Sequence, residues 1–219
     1  MATKAVLAEL ANAYEARTRH VVVIESVGGV DAARRVRAGE PFDVVVLASD
    51  AIDELLASDR LVGGSKVDVA RSAVAVAVPA GAPRPEIGSE AALRRAVEAA
   101  GTIGYSTGPS GVALAKLFER WGIASQLRDR IVVPPPGVSV GSLIARGEVA
   151  LGFQQLSELI HVAGVEVVVP LPAAIPIVTT FSAAVGTGAR QPEEARALLA
   201  FLASPAATDA KRHQGMEAA

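Results

Sequence analysis

Cysteine is absent from the 219 residues of this chain, which removes disulfides, thiolate catalysis and cysteine-ligated metals from consideration. Aromatic side chains are scarce, with one tryptophan, two tyrosines and five phenylalanines. Sites that stack sugars or bases rely on aromatic faces, so both ligand classes lose ground. No charge of one sign dominates. With 21 Lys and Arg against 23 Asp and Glu the formal net charge is −2, and no basic block exists to neutralise a phosphate backbone, which argues against nucleic acid as a partner. Apolar runs such as Ser72–Val78 fall far short of the roughly 20 residues of a membrane span. The opening MATKAVLAELANAYEAR carries only Lys4 ahead of an amphipathic stretch that includes Glu9 and Glu15, unlike the basic start, apolar core and small-residue cleavage site of a secretory signal. Read as written, the chain has no export signal and would be cytoplasmic.

What is present is a globular composition, 51% hydrophobic and 20% charged, in a chain long enough for one large or two small domains. Strand and helix patterns alternate. Val6, Leu7, Leu10 and Tyr14 share one face at helical spacing. His20–Ser26 (HVVVIES) and Asp43–Leu47 (DVVVL) are β-branched and predict buried strands, separated by the Gly28-Gly29 turn and a helix over 31–38. A helix over 50–57 and a strand over Ser72–Val78 follow, then the loop PAGAPRPEIG. The pattern continues with helices over 90–99, 111–121, 139–146 and 192–203. The strands of this half are expected over 102–105, 131–133, 148–153, 165–169 and 177–185, with three prolines, Pro134–Pro136, stopping the second of them. This alternation predicts an α/β fold with mostly parallel sheets flanked by helices.

An internal echo reads either as two lobes built on similar βαβ units or as a chance match, since helix–Gly–strand is a common joint. SVGGVDAARRVRAGEPFDVVVL (26–47) and GVSVGSLIARGEVALGF (137–153) both run from a glycine turn through a short helix and Arg/Ala-Gly-Glu into an apolar strand. In open α/β sheets a ligand sits at the carboxyl ends of strands, beside helix N-termini.

The strongest local signal is Tyr105-Ser106-Thr107-Gly108-Pro109-Ser110-Gly111, which leaves a strand and enters a helix with hydroxyls and glycines at the junction. Ser110 or Thr107 would cap the helix, and the free N–H groups beside them would attract an anion. The alternative is a capped helix and nothing more. Ser26, Gly28 and Gly29 repeat this logic, with glycines that allow close approach to the backbone and Asp31 in the following first turn. Arg71 precedes a strand and would grip a carboxylate if it faced a site; the competing reading is a solvated arginine. Gln154-Gln155 ends an apolar strand, where an amide can both donate and accept.

Other patterns carry less. Gly137-Val138-Ser139-Val140-Gly141 matches GxSxG, yet prolines interrupt its approach and His213 lies in a polar tail, so it reads as a decoy for a nucleophile elbow. His20, His161 and His213 lack metal-ligand spacing, and neither a phosphate loop nor a dinucleotide fingerprint occurs. No cofactor is expected.

The stretches ESVGGVDAARRVRAGEPFDVVVLASD, IGYSTGPSGVALAKLFERWG, GVSVGSLIARGEVALGFQQ and ALLAFLASPAATDAKRHQG resemble, in order and spacing, the periplasmic molybdate-binding family of the class II solute-binding fold. The resemblance implies two lobes, 1–78 with 180–219 and 79–179, joined by two crossing strands (Ser72–Val78 and Ile177–Val185) with a ligand cleft between the lobes. It implies a monomer that holds a small anion, a tetrahedral oxyanion such as molybdate or a small organic acid, for the membrane subunits of an ABC importer in the periplasm. The binding positions it carries over are Thr3, Ser26, Ser106–Ser110, Ser139, Val140 and Gln154. Gly28 and Gly29 stand where molybdate binders often have serines, and Gln154-Gln155 where they often have a tyrosine. The family's leading strand has no counterpart before Met1, which reads as a start placed too late, the alternative being a sheet that lacks a central strand. Relatives of the molybdate binders are similar to aconitate isomerases, so an isomerase acting on a tricarboxylate, with Arg71 as clamp and Tyr105 or Glu25 as acid or base, stands beside the binding reading. A cytoplasmic anion sensor is the third alternative.

Overall fold

A computed structural model describes residues 1–135 and 137–219; Pro136, the third of the three consecutive prolines, lies outside the described residues. The chain divides into two compact units, unit 1 from Met1–Ser72 and Thr179–Ala219, unit 2 from Ala73–Val178. In chain order the elements are α1 (Lys4–Glu15), α2 (Gly29–Arg37), β1 (Val44–Ala48), α3 (Ser49–Ala57) and β2 (Val67–Pro79). Then come α4 (Glu90–Ala99), β3 (Ile103–Tyr105), α5 (Pro109–Arg120), α6 (Ala124–Leu127), β4 (Ile131–Val132) and α7 (Val140–Ala145). The rest is β5 (Leu151–Gln155), α8 (Leu156–Leu159), β6 (Val165–Pro170), β7 (Val178–Val185), α9 (Pro192–Ala203), α10 (Thr208–His213) and β8 (Glu217–Ala218). The unit boundaries fall within β2 and at the start of β7.

In unit 1, β1 pairs antiparallel with β7 in a register running from Val44 opposite Val185 to Ala48 opposite Phe181, and β8 pairs antiparallel with β2, Arg71 opposite Glu217. The period of two along β7 divides the core. Ala183 and Val185 join Val6, Leu10, Leu199 and Leu202 on one face; Ala184 joins Val45, Leu47, Ile52 and Leu55 on the other.

In unit 2, β3 lies between β4 and β5, parallel to both, while β2 runs antiparallel to β5 and β6. The mixed sheet thus has its parallel core at β4-β3-β5, and the strands that carry the chain from unit to unit make the antiparallel pairs. Val74, Val76 and Val78 of β2 pack with Leu93, Leu114, Phe118 and Phe153. Ala75 and Ala77 point to the opposite face, against Val140, Leu143, Ile144 and Val149. That face is built small to admit α7: Gly104 and Gly152 sit side by side in β3 and β5. A β-carbon on Gly104 would lie 2.9 Å from Val149 Cγ1.

The echoed segments end their helices identically. After α2, Gly39 (φ +86°) donates to the Val36 carbonyl and Glu40 to that of Arg35; after α7, Gly147 (φ +75°) donates to Ile144 and Glu148 to Leu143. Each is a Schellman cap whose left-handed residue is glycine because a β-carbon is strained there.

One expected element does not form. His20–Ser26 is irregular, and Val21 and Val23 are 81% and 86% exposed. β-branching favours extended backbone, but a strand also needs a neighbour for its N–H and C=O groups. Here Val22 N–H goes instead to the Glu15 carboxylate (2.6 Å), and His20 N–H to Thr18 Oγ1 (3.3 Å). At the other end, the tail expected around His213 is ordered as α10, and His213 Nδ1 lies 3.0 Å from Glu9 Oε2.

Candidate functional site

Because β4, β3 and β5 are parallel, the segments that follow them emerge at one edge of the unit 2 sheet: 133–135 after β4 and 137–139 before α7, 106–108 before α5, and the start of α8. Strand carboxyl ends next to helix N-termini are where α/β sheets bind ligands.

The junction from Tyr105 to Gly111 is shaped by Gly111. A β-carbon there would fall 1.5 Å from the Ser106 carbonyl oxygen, so the turn folds back onto the first turn of α5 only with glycine at this position. Gly108 is the N-cap, and no side chain caps the helix. Pro109 has no N–H, and the amides of Ser110 and Gly111 lie in the first turn, where no carbonyl is available within the helix. The helix dipole adds partial positive charge at this point. Ser106, Thr107 and buried Ser110 supply hydroxyls around it. This end of α5 is chemically equipped for an anion without a formal counter-charge.

The other expected positions of unit 2 are engaged in building the edge. Ser139 is the N-cap of α7: its Oγ accepts from Ser142 N–H (3.0 Å) and lies 2.8 Å from Ser142 Oγ. Its hydroxyl therefore holds a helix rather than forming a nucleophile elbow, and Val140 beside it is fully buried. Gln154 is buried, and its Oε1 accepts from Gly141 N–H at 3.0 Å, tying the end of β5 to the first turn of α7. Its amide also reaches the Glu158 carboxylate.

Glu158 escaped the reading of the sequence. Burial pushes its carboxyl above the usual glutamate range, and the bond from Gln154 only partly opposes this. Beside it, the buried Ser157 hydroxyl has no hydrogen-bond partner among the described residues. The available signal was positional: an acid three residues after Gln155, at the carboxyl end of an apolar strand. The Tyr105 hydroxyl is also raised by burial and its ring packs edge-on against Phe118, so the hydroxyl stays protonated at neutral pH and has a proton to donate.

In unit 1, Ser26 is exposed; Gly28 is the N-cap of α2 and Gly29 its first residue. A β-carbon on Gly28 would be 3.7 Å from Asp31 Oδ2, and one on Gly29 3.8 Å from Leu47 Cδ2, so packing alone does not demand glycine at either. Thr3 is the N-cap of α1 without a side-chain bond. Arg71 pairs with Glu217 at 3.2 Å, and Glu25 with Arg35 at 2.8 Å. Both charged groups proposed for an isomerase thus have protein partners. Among the described residues no cluster of His, Asp or Glu is arranged for a metal, and no helix is long and apolar enough to cross a membrane.

This arrangement can be set against known proteins. The family model of the bacterial extracellular solute-binding proteins matches residues 1–217. An aconitate isomerase from a Pseudomonas species is 37% identical over 217 residues, covering 95% of this chain and 82% of that protein. Among solved structures, the periplasmic molybdate-binding protein of Azotobacter vinelandii superposes with a TM-score of 0.80 at 21% identity, over 98% of this chain and 94% of the other. The substrate-binding domain of a putative molybdenum ABC transporter from Clostridium difficile gives 0.76 at 15% identity, over 100% and 95%. Those two similarities fix the fold, which is that of the molybdate-binding-like class II proteins. The match over nearly its whole length makes this chain a member of the bacterial extracellular solute-binding protein family.

Proposed function

We propose that this chain binds a small organic polycarboxylate, held by the N-terminus of α5 and the hydroxyls of Ser106, Thr107 and Ser110. The observation that carries the reading is the uncapped first turn of α5, seated on an obligatory glycine at the carboxyl edge of three parallel strands. Backbone amides and hydroxyls there can satisfy carboxylate oxygens in a partly dry setting. The choice of organic acid over molybdate is supported by the 37% identical aconitate isomerase. A role in delivering that acid to the membrane subunits of an importer would follow from the family.

A second reading, catalysis, is favoured by Glu158. Moving a double bond within a tricarboxylate requires a base to take a proton from carbon and an acid to return one at the far end of the allylic system. A carboxyl raised by burial suits the first role, and Tyr105, held protonated, suits the second.

Thermal shift against citrate, cis- and trans-aconitate, molybdate, tungstate, sulfate and phosphate tests the binding. A ligand at a hundredfold excess over its Kd adds about 2.7 kcal/mol of stability. Stabilisation by carboxylates alone, lost in Ser110→Ala and Thr107→Val, is the expected result; stabilisation by molybdate or tungstate alone overturns the organic-acid assignment. Proton NMR of aconitate mixed with the protein then separates carrier from isomerase: interconversion that stops in Glu158→Gln establishes catalysis, and bound but unchanged aconitate rejects it.

A further inference from the structure

At the end of β1 away from α3, unit 1 holds a shallow pocket of about 210 Å³ lined by Gly39, Glu40, Phe42, Arg60, Thr187 and Gly188, among others. Its walls are unusually bare. Gly39 takes φ +86° as the left-handed residue after α2, and a β-carbon on it would stand 3.8 Å from an Arg60 guanidinium nitrogen. Gly186 beneath admits no side chain, since a β-carbon would lie 2.1 Å from the Phe42 carbonyl oxygen. Gly188 rests against Pro41, 3.3 Å from Cβ to Cβ were a β-carbon present. Three glycines thus leave part of the wall as bare backbone, and Glu40, Phe42, Arg60 and Thr187 are among the residues that complete it.

The charges do not cancel evenly. Glu40 is bound to Arg35 (2.6 Å from Nε), and that arginine also holds Glu25 and lies over the Phe42 ring at 5.1 Å. Arg35 keeps the Glu40 carboxyl below the usual glutamate range, hence ionised. The pocket's acid therefore already has its cation. The Arg60 guanidinium has neither an ion pair nor a hydrogen bond among the described residues. Its backbone, in contrast, is pinned: Arg60 N–H donates to the Leu55 carbonyl (2.9 Å), and its own carbonyl accepts from Thr187 N–H (3.2 Å) and Thr187 Oγ1 (3.1 Å). Arg60 is exposed, with its backbone held and its fork unspent, and a guanidinium presents two parallel N–H donors, the geometry that fits a carboxylate or phosphate bidentately.

We propose that this pocket is a second anion site, taking a small carboxylate or phosphate on the Arg60 guanidinium. The site lies wholly within unit 1, at the opposite end of β1 from α3, and does not depend on the function proposed for the N-terminus of α5. Its size, below the roughly 300–1,000 Å³ of drug-sized pockets, limits it to ligands of a few heavy atoms beyond the anionic group.

Two-dimensional ¹H–¹⁵N NMR of the full chain tests this, with acetate, citrate and inorganic phosphate as probes and sodium chloride at matched ionic strength as control. Amides of Gly39, Thr187 and Gly188 and the Arg60 Nε resonance should move saturably with at least one probe at millimolar concentration. Arg60→Gln should weaken that saturation at least tenfold and Arg60→Lys to a lesser extent, while shifts at Ser110 and Gly111 stay as in the wild type. Movement that never saturates, that chloride reproduces, or that survives Arg60→Gln would overturn the site. Failure at Ser110 and Gly111 with success at Gly188 would sink only the function proposed above.

Discussion

Gly152 of β5 lies so close beneath Ile144 of α7 that a β-carbon on it would fall 2.3 Å from Ile144 Cδ1 and 2.9 Å from Ile144 Cγ1. This contact sets the height of α7 above the sheet, and with it the position of the Gly141 N–H that Gln154 accepts. Gly152→Ala is expected to destabilise the protein by about 1–3 kcal/mol through overpacking. Ile144→Ala alone leaves a void and costs about 2–5 kcal/mol, but the pair should cost less than the sum, because each change relieves the other. Urea unfolding of both single variants and the double variant measures the coupling; strict additivity would mean that α7 is not seated by this contact.

Gln154 makes a related prediction about function. Gln154→Leu keeps the volume but strands the Gly141 N–H in a buried setting, which costs about 1–3 kcal/mol. It also releases Glu158 from its hydrogen bond, and since that bond lowers the Glu158 pKa, the carboxyl should titrate at still higher pH. Carbon-detected NMR of the Glu158 carboxyl in wild type and variant reads the direction. A downward shift, or none, would remove Gln154 as the group that positions Glu158.

How much of this was legible beforehand depended on whether the determinant was local. The helix over Glu90–Ala99 could be read to its ends because Ser89 accepts from Ala92 N–H as an N-cap, and Pro192 opens α9 as proline does at a first helical position. The echo around Gly39 and Gly147 was visible because a left-handed cap is written in three or four residues. The run His20–Ser26 misled because strand formation is a property of two segments, and propensity describes one. The same limit governed the binding residues. Ser139 caps within three residues, as Ser89 does, whereas Gln154 was legible only as a polar group at the right edge, because its engagement with Gly141 depends on a contact 13 residues away. Glu158 draws its shifted pKa from burial, which no spacing encodes.

Trp121 offers an optical report on acid stability. Its indole Nε1 donates to Glu90 Oε1 at 2.7 Å, and Arg120 adds an ion pair at 2.6 Å. Both hold the Glu90 carboxyl below the usual glutamate range, the Trp121 bond first. A carboxyl whose folded pKa is depressed contributes stability that is complete above its unfolded value of about 4.3 and disappears as pH falls through the folded value. Since Trp121 is the sole tryptophan, its emission should change over that acid window before the protein unfolds. Glu90→Gln should flatten the dependence of the urea midpoint on pH below about 4.3. An unaltered profile in the variant would show that the indole bond is not coupled to folding.

Lys211 in α10 makes the opposite case at alkaline pH. Its side chain is 1% exposed, in the company of buried Ala207 and Met216, and no ion pair or hydrogen bond compensates its ammonium among the described residues. Burial lowers its pKa, so the folded protein binds that proton less well than the unfolded chain does. The penalty is fully present below the folded pKa and fades as pH rises toward the unfolded value of about 10.4, so this residue makes stability increase with pH over that interval. Methionine matches the unbranched stem and has no charge to desolvate. Lys211→Met should therefore stabilise the protein at pH 7, and the advantage should shrink as pH approaches 10. Urea titrations of both proteins at pH 7, 8.5 and 10 decide the matter. An advantage that stays constant across the three would place its origin in packing rather than in the buried charge, and a loss at pH 7 would mean that the amine is solvated or partnered in solution.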